Sequence, residues 1–187
     1  MRDETKLIRD SEGQPLEIVG AWTDITEWKQ DEIALIEERA LLRTLIDQLP
    51  DFIYVKDREC RILLVNLSDA RIMGGTPETI LGKTDFDFYP EEFARRFETH
   101  DRAVISTGQA IQNQEEQVLD SQGNLHWVLT TKLPLRNIAG EIVGLVGIGH
   151  DITERKQVEI ALKVSENRYR VLFENSLDAV LQTLPSG

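Results

Sequence analysis

Few residues in this chain are spaced for chemistry. The three histidines stand far apart: His100 in a stretch of helical spacing, His126 inside a strand-like run and His150 at the end of another. Serines and acids are scattered without an elbow such as G-x-S-x-G, so no nucleophile–base pair is legible. His100 shares a helical face with Phe93, Phe97 and Val104, at steps of four, seven and eleven from Phe93. A neutral imidazole on such a face suits iron; it equally suits a half-buried histidine held by a neighbour. "LGKT" at 81–84 copies the tail of a phosphate-binding loop, but the leading glycine of that loop would fall at Pro77. Asn66-Leu67-Ser68 has the form of a glycosylation acceptor, with no other sign of secretion beside it. There is no phosphoacceptor box, no glycine-rich ATP lid and no cyclase signature. The segment is therefore expected to be non-catalytic.

The elements that carry these residues must come from 187 of them, enough for one ordinary domain with additional pieces. Hydrophobic residues make up 41%, which is sufficient for a packed core. The formal charge of −12 repels nucleic acid and anionic membranes, so neither is an expected partner. Cys60 is the single cysteine, which excludes an internal disulfide and a multi-cysteine zinc site and fits a reducing cytoplasm. The longest apolar run, "IVGLVGIG" at 142–149, is too short to span a bilayer. A cytoplasmic location is expected, and a larger parent could still be anchored elsewhere.

The chain repeats itself. Asp24-Ile25-Thr26 returns as Asp151-Ile152-Thr153, 127 positions on. At that fixed offset Arg9 matches Arg136, Gly13 matches Gly140, and Val19-Gly20 matches Val146-Gly147. Lys29-Gln30 matches Lys156-Gln157, and Ile33-Ala34-Leu35 matches Ile160-Ala161-Leu162. A unit of that length is a domain, far longer than a solenoid repeat. The expected organisation is the last strands of one domain at 1–26, a linking helix at 27–49, a whole domain at 50–153, a second helix at 154–173 and the start of a third domain at 174–187.

Residues 27–49 lack Gly and Pro and are rich in helix formers, with Thr26 and Asp24 as caps and Pro50 as the stop. Ile33, Ile36, Ala40, Leu42, Leu45 and Leu49 form a stripe that changes register once. "DFIYVKD" and "CRILLVN" read as a hairpin. Short helices follow in "LSDARIMGG" and "TPETILG", and a longer one from Pro90 to Ser106. Three strands are expected at 111–119, 125–133 and 142–150. In the second of these, Trp127, Leu129, Thr131 and Leu133 share a face that is expected to point inward, with His126, Thr130 and Lys132 opposite. Helices interrupt the strands rather than alternate with them. The expected class is α+β, with an antiparallel sheet and helices on one face.

Three segments carry a resemblance: "LIDQLPDFIYVKDRECRILLVN", "GKTDFDFYPEEFARRF" and "GLVGIGHDITERKQ". In that order they resemble the PAS sensor superfamily, in particular the tandem PAS repeats of bacterial and archaeal multi-domain signalling proteins. The resemblance implies a five-stranded antiparallel sheet and a signalling helix after the Asp-Ile-Thr phrase. It implies a regulatory module of a larger protein, most often a sensor histidine kinase in a two-component phosphorelay. It also implies a pocket between the sheet and the long helix, which Phe93, Phe97, Val104, Met73, Trp127 and Leu129 are expected to line. Asp151 and Thr153, with their copies Asp24 and Thr26, would couple sheet to helix.

The implied partners are a second copy through the helices at 27–49 and 154–173, the neighbouring PAS and output domains, and a small-molecule ligand. No cofactor is required. In haem-binding relatives an axial histidine stands on the corresponding helix, which makes a haem gas or redox sensor through His100 one alternative; the histidine of those relatives, however, falls nearer the place of Phe97. Flavin photosensors carry Asn-Cys-Arg-Phe-Leu on a central helix, whereas Cys60 falls in a hairpin turn. A ligand-free spacer with a side-chain-filled core is the other alternative.

Overall fold

The computed structural model describes residues 2–182, with backbone alone at 2–5, 16–23 and 174–182. The chain divides into two compact units, residues 1–46 and 47–187. In the first, β1 (Arg2–Arg9) and β2 (Pro15–Thr23) form an antiparallel hairpin, followed by α1 (Thr26–Gln48), which Pro50 closes off.

The second unit holds the sheet. Its strands are β3 (Phe52–Asp57), β4 (Ile62–Val65), β5 (Ile111–Leu119), β6 (Leu125–Arg136) and β7 (Ile142–Asp151), all antiparallel in the order β4-β3-β7-β6-β5. Between β4 and β5 come α2 (Leu67–Ile72), α3 (Pro77–Ile80), a single 3₁₀ turn (Asp85–Asp87) and α4 (Glu91–Thr107). Asn66 caps α2 by accepting the Asp69 amide, and its amide group donates to Asp51 O at 2.8 Å. Pro77 occupies the first turn of α3, where a missing N–H costs nothing. Gly108, left-handed at φ 70°, ends α4.

These helices cover one face of the sheet. Ile62, Val65, Ala70, Ile72, Met73, Ile80, Tyr89, Ala94 and Phe97 are the buried cluster between them. The expected α+β class and five-stranded antiparallel sheet are therefore what the chain forms. β6 runs three residues beyond its expected end, through Arg136.

α5 (Thr153–Gln182) follows β7. It continues past residue 173, into the stretch expected to begin a new domain. The cause is local: Leu177 stands where the offset would require the counterpart of Pro50, so no proline stops the helix at that point. Residues 183–187, also part of that expectation, lie outside the described residues. Among the described residues no helix is long and apolar enough to cross a membrane.

The two hairpins share their internal geometry. Arg9 donates to Gly13 O at 2.9 Å, and Arg136 to Gly140 O at 2.8 Å. Gly13 and Gly140 both turn with left-handed φ, 82° and 81°. The Thr26 amide donates to Asp24 Oδ1 at 2.9 Å, and the Thr153 amide to Asp151 Oδ1 at 2.8 Å.

Candidate functional site

A cavity of about 50 Å³ lies between the inner sheet face and the helices. Phe52, Tyr54, Val118 and Val128 wall it from the sheet, Ile72 and Met73 from α2, and Tyr89 and Phe97 from the segment before α4 and from α4 itself. The Tyr89 and Phe97 rings meet edge to face at 5.3 Å. Gly147 makes room on β7: a Cβ there would fall inside the Tyr54 ring.

The cavity also holds a buried lattice of charge. Lys56 Nζ donates to Asp85 Oδ2 at 2.6 Å and to Asp101 Oδ2 at 2.7 Å. Lys132 Nζ donates to Asp101 Oδ1 at 2.5 Å. All four side chains are almost fully buried. Burial alone would pull the pKa of Lys56 down, but the carboxylates of Asp85 and Asp101 carry it above the ordinary lysine value. Burial pushes Asp101 up, yet Lys56 and Lys132 together hold it below the usual carboxylate range. Asp85 has Lys56 alone to bond, and burial keeps its carboxyl above that range.

Two further acids stand in the same cavity. Asp69 on α2 is 3% exposed and Glu116 on β5 is 6% exposed. Neither Asp69 Oδ2 nor either carboxylate oxygen of Glu116 has a hydrogen-bond partner. Burial raises the Asp69 carboxyl to about 7, offset in part by Lys56.

The expected pocket residues divide. Phe97 and Met73 line the cavity. Val104 is fully buried but outside its lining. The buried stripe of α4 is Ala94, Phe97, Asp101 and Val104, which leaves Phe93 half-buried at its edge, 6.4 Å from Phe97 between ring centres. His100 falls at the other margin, with Nδ1 3.9 Å from Glu116 Oε2. It is not in the cavity lining, and the cavity is far smaller than a haem macrocycle, so His100 and the space available do not fit haem.

The expected inward face of β6 is reversed. Val128, Thr130 and Lys132 are buried against the helices, while Trp127 and Leu129 are half-buried on the opposite side, where Lys156 Nζ sits 5.4 Å from the centre of the Trp127 ring. Apolarity chose the wrong face because Lys132 is buried by its bond to Asp101, a partner 31 positions away. Lys56, Asp85, Asp101 and Lys132 escape the sequence pattern for that reason, while Asp69 and Glu116 are buried without such a partner and carry no local signal. The one local signal was Asp101 itself, at the helical steps of four from Phe97 and three from Val104. Cys60 does fall in the hairpin turn, at φ 61°, and burial pushes its thiol up to about 11, away from thiolate chemistry.

The Asp-Ile-Thr phrase forms the junction of β7 and α5. Asp151 Oδ1 accepts the Thr153 amide, and Thr153 Oγ1 accepts the Trp127 amide from β6 at 2.9 Å. The buried Ile152 donates its amide to Trp127 O at 2.8 Å. His126 Nδ1 lies 2.9 Å from Asp151 Oδ2. At the first copy, Thr26 turns its hydroxyl to Asp24 Oδ1 at 2.6 Å.

Comparison with known proteins places this architecture. The family description "PAS fold" matches residues 46–157, more than half of the chain. The chain belongs to the PAS family. The methanogenesis regulatory histidine kinase FilI of Methanothrix harundinacea is 31% identical over 146 residues, 78% of this chain and 16% of that protein. The PAS domain of Bordetella pertussis BvgS is 29% identical with a TM-score of 0.52, over 71% of this chain and 98% of that one. Vibrio cholerae VqmA in complex with a ligand and DNA is 28% identical with a TM-score of 0.55, over 63% of this chain and 51% of that one. The PAS chain thus spans about a sixth of the length of its curated kinase relative.

Proposed function

We propose that this PAS chain is a sensory and relay segment of a larger signalling protein. Residues 50–153 form the sensor, its cavity takes a small molecule, and α5 passes the resulting change to an output domain. The observation that carries this reading is the junction: β6 and β7 wall the cavity, and both are bonded to the first residues of α5 through Thr153, Ile152 and Asp151. FilI is named a histidine kinase, and the VqmA structure contains a ligand. The first name supports a kinase as the output and the second a ligand-responsive sensor; a cytoplasmic place for the module is part of the proposal.

Tandem organisation is part of the proposal. The hairpin at residues 2–23 repeats the geometry of β6 and β7 down to the Arg-to-Gly turn bond and the Asp-to-Thr cap, which supports its reading as the end of a preceding PAS domain. Exposed Ile33, Ile36, Leu42 and Leu45 on α1, and Ile160, Leu162, Tyr169 and Phe173 on α5, support helix-mediated pairing with a second copy.

One observation favours a second reading, a spacer without ligand: the cavity is only about 50 Å³. Native mass spectrometry of the purified chain separates the two. A small-molecule adduct lost on denaturation is expected; an adduct-free protein whose cavity takes no added compound contradicts ligand sensing.

A further inference from the structure

The cavity has unequal charge. Its two lysines are both engaged, Lys56 by Asp85 and Asp101, Lys132 by Asp101, at 2.5 to 2.7 Å. Asp69, Asp85 and Glu116 line the cavity with the two lysines, and Asp101 joins them from outside the lining through its bonds to both lysines, so the six groups sum to −2 when all are ionised. The surplus is located: it is Asp69 on α2 and Glu116 on β5, more than nine-tenths buried, with oxygens that accept no hydrogen bond; beside Glu116 the imidazole Nδ1 of His100 stands 3.9 Å off. Leaving a buried carboxylate without a donor is strongly unfavourable. Among the described lining residues both lysines are already engaged, so an anionic ligand meets two acids there. A ligand that supplies N–H donors removes the deficit at both walls.

We propose that the cavity recognises a small, planar, N–H-donating cation, held between Asp69 on α2 and Glu116 on β5 against the aromatic wall of Tyr54 and Phe97. The volume sets the size. At roughly 10–15 Å³ per water-sized group, a cavity of about 50 Å³ takes a few such groups, a short amidine or a single small ring. The Tyr54 and Phe97 rings supply a flat apolar wall, beside which Lys56 and Lys132 already stand 5.0 and 5.8 Å from the ring centres. Asp69 titrates at about 7, so a bound cation would keep it ionised where the empty site leaves it divided between its two forms. The proposal rests on the ligand-sensing reading above and adds the chemical class.

The test is a titration of the full chain, followed by NMR, with three probes of similar size: methylguanidinium, neutral methylurea and anionic propionate. Methylguanidinium is expected to bind at least tenfold more tightly than methylurea, and propionate not to bind. Asp69→Asn and Glu116→Gln are each expected to weaken methylguanidinium at least tenfold, with thermal melts showing both variants folded. Should one variant fail to fold, the other and the probe series still decide. Propionate binding as tightly as methylguanidinium, or affinity unchanged in a folded variant, overturns the cation assignment and leaves ligand sensing standing. If none of the three probes perturbs cavity resonances, the cation assignment fails, while ligand sensing itself is decided by the native mass spectrum.

Discussion

Thr153 accepts the backbone amide of Trp127 at 2.9 Å, so the first residue of α5 is fastened to β6 as well as to β7, the strand that precedes it. Asp151 and His126 lie beside this bond at 2.9 Å from one another. A side-chain cap of this kind contributes about 1 kcal/mol, and about 1.4 kcal/mol changes an equilibrium tenfold. Small rearrangements of β6 are therefore large enough to bias how α5 begins.

Thr153→Ala removes the acceptor and leaves the Trp127 amide without it. The chain is expected to stay folded, lose about 1 kcal/mol of stability, and exchange the Trp127 amide hydrogen faster, by roughly fivefold or more. Hydrogen exchange read by NMR checks this. Protection unchanged at Trp127 would mean that the bond contributes nothing to the junction.

Asp101 neutralises two buried lysines. Asp101→Ala leaves them uncompensated and is expected to cost about 3–5 kcal/mol in urea unfolding. Asp101→Leu combined with Lys132→Met leaves the Lys56–Asp85 pair intact and should cost less than the single Asp101→Ala change. Equal costs for the two variants would show that the lattice is not acting as a charge-balanced unit.

Stability should depend on pH through His126. Burial alone would lower its pKa, but Asp151 and Asp120, its two charged neighbours, raise it above the ordinary histidine value. A raised folded pKa adds stability that is complete below the unfolded value of about 6.5. That contribution is lost as pH rises through the folded pKa. Asp120, lowered to about 2 by its bonds to Asn124 and others, and Asp151, also lowered, act in the opposite sense and lose their contribution in acid. His126→Gln is expected to flatten the fall in melting temperature between about pH 6 and 8. A wild-type melting curve already flat over that range would contradict the assignment.

Pairing through the helices is tested at Leu42 and Leu45, each 55% exposed. Leu42→Glu with Leu45→Glu should shift sedimentation toward monomer. An unchanged mass would place the interface elsewhere or leave the chain monomeric.

The strands, helices and caps were legible because their signals are local. Pro50 stops α1, Pro77 starts α3, Gly108 ends α4, and the strand positions 111–119 are those of β5. The repeat was legible because it is an identity at fixed offset. The cavity was not. Lys132 and Lys56 read as surface residues until Asp101 and Asp85 arrive from 31 and 29 positions away. The inward face of β6 was lost with them, since polar Thr130 and Lys132 occupy it. Burial of charge depends on partners distant in sequence, and no local pattern records those.

On the proposed reading, a change in the sensor crosses to the output through the Asp-Ile-Thr junction. That crossing is tested most directly by a signalling assay of the full-length parent carrying Asp151→Ala or Thr153→Ala, each first shown by thermal melt to leave the isolated chain folded. The expected result is an output that no longer follows the signal while the domain stays folded and native mass spectrometry gives the same adduct as the wild type. A normal signal response in both variants would contradict the account, reducing the phrase to a helix cap and moving the transfer to contacts between domains.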